Sequence, residues 1–319
     1  MLMKTLFLLA AALLSTAIPA LAGVVCVESS DQLVVTRDGR QVLSYQKTVR
    51  VPPGVGPEYG RNGFIHPIST PSGRVITDGY PVPHQAHQHG LFFAWKKATF
   101  EGETLNFWEP GPATVRHEKV LEVINEDALA GFRVELAHVN GERTILRETW
   151  TVKVHAETGH IDFTSEQRCV ADSPLTLDKI HYGGMSIRGS RQWFPDAQIS
   201  AGKGALKDEF VAPCAILTSE GLTQANGNHS RPRWVCMSGP VDAAPVSITL
   251  IQHPTNFRYP QHVRLHPAMP YFCFIPTVEE PFQIEPGKPW VSRYRIIAED
   301  GAPDAAKLDA IQRAFAGEE

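Results

Sequence analysis

The pattern of apolar and polar positions reads as a succession of short β-strands. Over residues 149–155 the two kinds alternate. Trp150, Val152 and Val154 fall on one face, and Thr151, Lys153 and His155 on the other. A period of two marks a half-buried strand. Residues 160–169 continue it, with Ile161 and Phe163 predicted to point inward. Residues 32–36 and 42–49 flank Asp38-Gly39, a hairpin turn signal because both residues tolerate positive φ. Further strands are predicted over 115–124, 132–138, 210–217, 246–251, 271–275 and 291–298. Only the tail follows a helical period: Pro303-Asp304 opens it, and Ala306, Leu308, Ile311 and Phe315 form its stripe. With no βαβ alternation, heptad or internal repeat, the expectation is an all-β fold. It is a large antiparallel β-sandwich ending in a short helix.

The amino end changes the picture. Lys4 is the only charge before an apolar run from Leu6 to Leu14. Pro19 follows, and Ala20-Leu21-Ala22 supplies a small-x-small cleavage pattern. This order predicts a secretory signal peptide. The run is too short for a membrane span, which needs ~20 residues. The expected organisation is a signal peptide at 1–22, one sandwich domain at 23–301 and a helical tail at 302–319. The mature chain would work in the periplasm or outside the cell, with no membrane span.

Composition narrows the function. Loss of Lys4 leaves 29 basic and 34 acidic residues, a formal charge of −5. No basic cluster offers a footprint for nucleic acid. The five cysteines, Cys26, Cys169, Cys214, Cys236 and Cys273, show no C-x-x-C spacing, which disfavours a thiolate zinc site. An exported chain can form disulfides, Cys214 with Cys236 being the more plausible pair; equally, these are small core residues. There is no G-x-S-x-G elbow, P-loop, strand-linked G-x-G-x-x-G or H-E-x-x-H, so a serine hydrolase, nucleotide enzyme or zinc protease is disfavoured. No cofactor is specified.

Candidate chemistry concentrates at His84-Gln85-Ala86-His87-Gln88-His89, entered from Pro81 and Pro83 and leading into Gly90-Leu91-Phe92-Phe93-Ala94-Trp95. In a strand, His87 and His89 would share one face about 7 Å apart. Such a pair can relay a proton, bind sugar hydroxyls or, alternatively, ligate a metal. A second cluster, His253-Pro254-Thr255-Asn256-Phe257-Arg258, follows the strand at 246–251. Asn256 and Arg258 suit hydroxyl or carboxylate groups. Trp95 and Trp108 are candidates for stacking on a sugar. Glu148 and Glu109 are candidate proton-transfer carboxylates, since a carboxylate paired with histidine suits near-neutral chemistry.

Several of these segments, taken in order, carry a resemblance: Phe64-Ile65-His66-Pro67-Ile68, His87 to Trp95, Asn106-Phe107-Trp108, Gly183-Gly184-Met185-Ser186-Ile187-Arg188, Trp234-Val235, His253 to Arg258, and Arg293-Tyr294-Arg295-Ile296. Together they resemble the bacterial family labelled PmoA, or methane oxygenase. The resemblance spans roughly residues 59–301. It implies a galactose mutarotase-like sandwich and an exported setting in polysaccharide breakdown. The resulting expectation is a carbohydrate-active protein that takes a small-molecule or oligosaccharide ligand. His87, His89 and Glu148 would be catalytic, by lyase, epimerase or hydrolase chemistry. His66, Trp95, Trp108, His253, Asn256 and Arg258 would bind the ligand. The alternatives are a non-catalytic sugar-binding module, and a metal-dependent enzyme using His87 and His89.

Overall fold

The structure is a computed structural model that describes residues 23–82, 85–194, 213–267 and 269–318. The expected signal segment, His84 and the first part of the strand expected at 210–217 lie outside these residues.

Two eight-stranded antiparallel sheets face each other. The first runs, in spatial order, Val24–Glu28, Gln32–Arg37, Arg40–Gln46, Phe64–Ile68, Leu91–Trp95, Gly183–Arg188, Tyr271–Ile275 and His262–Leu265. The second runs Ala215–Thr218, Trp234–Val241, Ala244–Gln252, Trp290–Asp300, Ile161–Cys169, Arg143–His155, Leu129–Asn140 and Ala113–Asn125. A small sheet holds Phe282–Ile284, Leu175–Leu177, Ala98–Phe100 and Glu103–Leu105. The predicted alternation holds on Arg143–His155, where Trp150, Val152 and Val154 are fully buried between Thr151, Lys153 and His155. These inward rows form one continuous core between the sheets.

Leu91–Trp95 is buried at every position. Trp95 points inward, its Nε1 donating to Gln167 Oε1 of the second sheet at 2.8 Å. Phe92 points the other way, against Trp108. The first sheet is thus covered on both faces here, which is why this strand reads as an unbroken apolar run.

The outer face of the second sheet takes the C-terminal helix, Ala305–Ala316. Asp304 caps it by accepting from the Lys307 amide at 3.1 Å. Leu308 and Phe315 pack on Trp234, Cys236, Ile251 and Ile297. All five cysteines are unbonded. Cys214 and Cys236 do not pair: each is buried, and burial pushes both thiols up to about 12. They act as small apolar residues. Among the described residues, no helix is long and apolar enough to cross a membrane.

Candidate functional site

Strand register defines the outer face of the first sheet. Phe92 pairs with Ser186, Ser186 with Cys273, and Cys273 with Arg264. Directly paired residues point to the same side of a sheet. Two positions further along, Arg188 pairs with Tyr271 and emerges on that side too. In the strand Phe64–Ile68, Ile65 pairs with inward-facing Leu91, so His66 lies on the outer face.

His87 and His89 come to this face from a turn, not from the strand itself. The Gln88 amide donates to the Gln85 carbonyl at 2.8 Å, and the strand begins at Leu91. Gly90 makes the entry possible. Its φ is +52°, and a Cβ there would stand 2.3 Å from the Ile65 carbonyl oxygen. The two imidazoles therefore have different surroundings. His89 is buried between Phe64 and Tyr80. Its Nδ1–H donates to the Gly79 carbonyl at 2.8 Å. Burial and the nearby Arg61 guanidinium hold its pKa well below the usual histidine value, so it is neutral with Nε2 as acceptor.

His87 is only half-buried, and no hydrogen-bond partner for its ring exists among the described residues. Its pKa falls to about 4. Burial is the main cause; Lys96, Arg61 and Arg188 reinforce it, and Glu109 opposes them. These four charged groups act on it through space. Glu109 accepts from Lys96 Nζ and Asn106 Nδ2, both at 2.8 Å. Burial raises its pKa, but those two bonds prevail and hold the carboxyl below its usual range.

Arg188 is buried, donating to Gln88 Oε1 at 3.0 Å and to Met269 Sδ at 3.6 Å. Arg61 is buried with its guanidinium over the Phe92 ring, reaching, among the described residues, only the Phe107 carbonyl at 3.4 Å. Burial lowers both to about 10, still charged at neutral pH. Arg61 Nε and Nη2 and Arg188 Nε are buried donors without partners.

Other predicted residues divide. His66 belongs to this face, its Nδ1 sharing a 2.9 Å hydrogen bond with Thr77 Oγ1. It lines a cleft of about 500 Å³ with Phe64, Asp78, Tyr80 and Arg191. Trp108 is also here, but it is 2 % exposed, wedged among Phe92, Tyr182 and Tyr271. Tyr182 is the more open aromatic. Trp95 faces the interior. So does Glu148, fully buried and bonded to His138 Nε2 at 2.7 Å, to Gln167 Nε2 at 3.1 Å and to Ser165 Oγ.

The 253–258 cluster stands apart. His253 contacts Thr255, the Glu318 carbonyl and Phe315 of the C-terminal helix. Asn256 bonds both backbone groups of Arg293, at 2.7 and 2.8 Å. Arg258 donates to the carbonyls of Pro276, Glu280 and Pro281. The structure therefore brings His66, His87, His89 and Trp108 together and leaves Trp95, Glu148, His253, Asn256 and Arg258 elsewhere.

Arg61 and Arg188 escaped the sequence reading. The available signal was a charged residue closing the otherwise uncharged strand Gly183–Arg188, buried at all six positions. As for metal, no group of three His, Cys, Asp or Glu side chains is placed to hold an ion among the described residues. The cations around His87 also oppose one there.

Residues 32–313 match the family described as a family of unknown function, DUF6807. The chain belongs to that family. No curated protein matches it. Among solved structures it is similar to a mutant heparan sulfate lyase HepC from Pedobacter heparinus, at 10% identity and TM-score 0.40, covering 89% of this chain and 36% of that one. It is also similar to a GH36 alpha-galactosidase from Geobacillus stearothermophilus, at 8% identity and TM-score 0.44, covering 88% and 41%. A third is an alpha-N-acetylgalactosaminidase from Bifidobacterium bifidum, at 14% identity and TM-score 0.39, covering 91% and 38%. The DUF6807 chain spans about two fifths of the length of these proteins.

Proposed function

We propose that this DUF6807 chain is an exported carbohydrate-active protein whose ligand, a sugar or oxidised sugar, binds on the outer face of the first sheet. One observation carries the reading: the half-buried His87 ring has no partner among the described residues, while the charges of Arg61, Arg188, Lys96 and Glu109 act on it through space and Arg188 is bonded to the adjacent Gln88. Convergent polar groups beside aromatic side chains suit a polyhydroxylated ring. Tyr182, backed by Trp108, supplies the apolar surface. The Glu109 carboxylate accepts from hydroxyls. The signal-like first 22 residues support a setting outside the cytoplasm. The resemblance to the PmoA-labelled family, with its galactose mutarotase-like sandwich, supports the same setting.

The chemistry is proton transfer at a carbon bearing oxygen, of lyase, epimerase or hydrolase type. Neutral His87 takes the proton, and His89, fixed by Gly79, holds the ligand through Nε2. The test is a screen of glycan oligomers for binding and turnover, repeated with His87→Ala. Loss of turnover with binding retained supports catalysis by His87. Full activity in His87→Ala refutes it. A non-catalytic sugar-binding module is the second reading. It is favoured by the His87 pKa near 4, which leaves the ring a weak base until a ligand raises it. It predicts binding without turnover in the wild type.

A further inference from the structure

Among the described residues, three arginines on this face pair with no carboxylate. Arg61 lies over the Phe92 ring and Arg188 against Gln88, next to His87 in the chain, and among the described residues their side chains bond only a carbonyl, an amide oxygen and a thioether. Arg264 is half-buried at the neighbouring edge. Its Nη1 donates to the Leu265 carbonyl at 2.8 Å and its Nη2 to Tyr182 Oη at 3.1 Å, while Nε is buried without a partner. Its guanidinium sits 5.1 Å from the Tyr182 ring centre, and Lys96 Nζ 5.2 Å from it. Exposed His181 and His229 stand alongside, their ring centres 5.6 Å apart.

The acids nearby do not cancel this charge. Glu109 is matched by Lys96 at 2.8 Å. Asp78 is matched by Arg191, bonded at 2.6 and 3.2 Å. Glu148 acts on Arg61 from the sandwich interior without touching it. The face therefore keeps an excess of fixed positive charge in a chain that is acidic overall. Leaving guanidinium groups buried and unpaired is costly. An anion on the open side relieves that cost, and its field is least screened where the cations are buried.

We infer that the ligand is an acidic sugar, a uronic-acid unit whose carboxylate lies against Arg264 above Tyr182, with Arg61 and Arg188 holding positive potential at His87. This rests on the sugar-binding reading and names its substrate class. A planar carboxylate matches the arginine fork, and a neutral sugar does not use it.

The experiment is calorimetric titration of the full mature chain with oligomers of galacturonate, glucuronate and mannuronate. Each is compared with the same oligomer after reduction of its carboxylates to alcohols, and with a panel of neutral glycans. The expected result is binding of at least one acidic oligomer, about tenfold or more tighter than its reduced form and weakened by added salt. Arg264→Gln, at a half-buried edge position, is expected to remove most of that difference while the melting temperature is unchanged. Arg188→Lys, checked for folding by melting, keeps the charge and is expected to retain preference. Equal affinity for acidic and reduced oligomers, or preference for neutral glycans, overturns the acidic-ligand inference and leaves the sugar-binding reading standing. An Arg264→Gln protein that folds and keeps the full preference also overturns it. If no glycan of either kind binds, the sugar-binding reading falls, and the inference with it.

Discussion

Two polar clusters in this chain look alike as sequence and differ as structure. On the outer face of the first sheet, side chains keep unspent hydrogen-bonding capacity among the described residues: the half-buried His87 imidazole and three arginines without a carboxylate. Around Asn256, that capacity is consumed by the chain itself. Asn256 pairs with the Arg293 backbone as a neighbouring strand would, and Arg258 ties down three carbonyls of the 276–281 segment. The same residue types thus serve as a ligand-binding surface in one place and as a clasp in the other. What separates them is whether the fold already supplies their partners.

The contrast is broken or sharpened by four measurements. The largest effect is expected from His87→Ala, which should lower turnover of an identified substrate by about a hundredfold or more while leaving the urea midpoint unchanged. Loss of stability with activity intact would reverse the assignment. Next comes Asn256→Ala, which strands the part-buried Arg293 amide while the Arg293 carbonyl keeps the His253 N–H. It should cost about 2 kcal/mol in urea unfolding with ligand affinity preserved. Weakened binding in a folded Asn256→Ala protein would make the second cluster part of the site.

Arg258→Lys is smaller. One ammonium cannot reproduce the three carbonyl bonds, and a loss of about 1 kcal/mol is expected, again without change in affinity. The smallest effect is a pH dependence. Above about 6.5 the His87 ring is neutral both folded and unfolded, so its titration contributes nothing. As pH falls from there, unfolded His87 takes up a proton that the folded ring refuses until about 4, so acid favours unfolding across that window. Discounted for the solvent-exposed part of the ring, this amounts to about 1 kcal/mol. It is read as the difference between wild type and His87→Asn in melts taken at pH 6.5 and 4. A larger loss in His87→Asn than in wild type would contradict the placement of that ring. Bound acidic ligand should raise the His87 pKa, visible in its ring proton shifts.

The predicted strands on 115–124, 132–138, 149–155, 246–251 and 271–275 correspond to observed ones because alternation is a local property of each segment. Apart from 271–275, which kept its bounds, these strands run longer than expected, as in Arg143–His155, because pairing with a long neighbour extends a strand beyond its most regular stretch. The helix start was legible from Asp304, whose capping bond is also local. Half of the site was legible from one short segment, Ala86 to Gly90. His66, Trp108 and Glu109 were candidates as well. The rest was not legible: Arg61, Lys96, Arg188 and Arg264 are scattered over some two hundred positions, and no spacing links them.

By itself, the sequence determined that the chain is an antiparallel all-β sandwich with a terminal helix. The hydrophobic effect acts through the two-residue and 3.6-residue periods of each segment. Only the tertiary structure decided which polar residues have unspent bonding capacity. That depends on burial and partners contributed by distant strands: the turn before Gly90 brings His87 within the field of two buried arginines, while Arg293 meets Asn256 and seals its cluster.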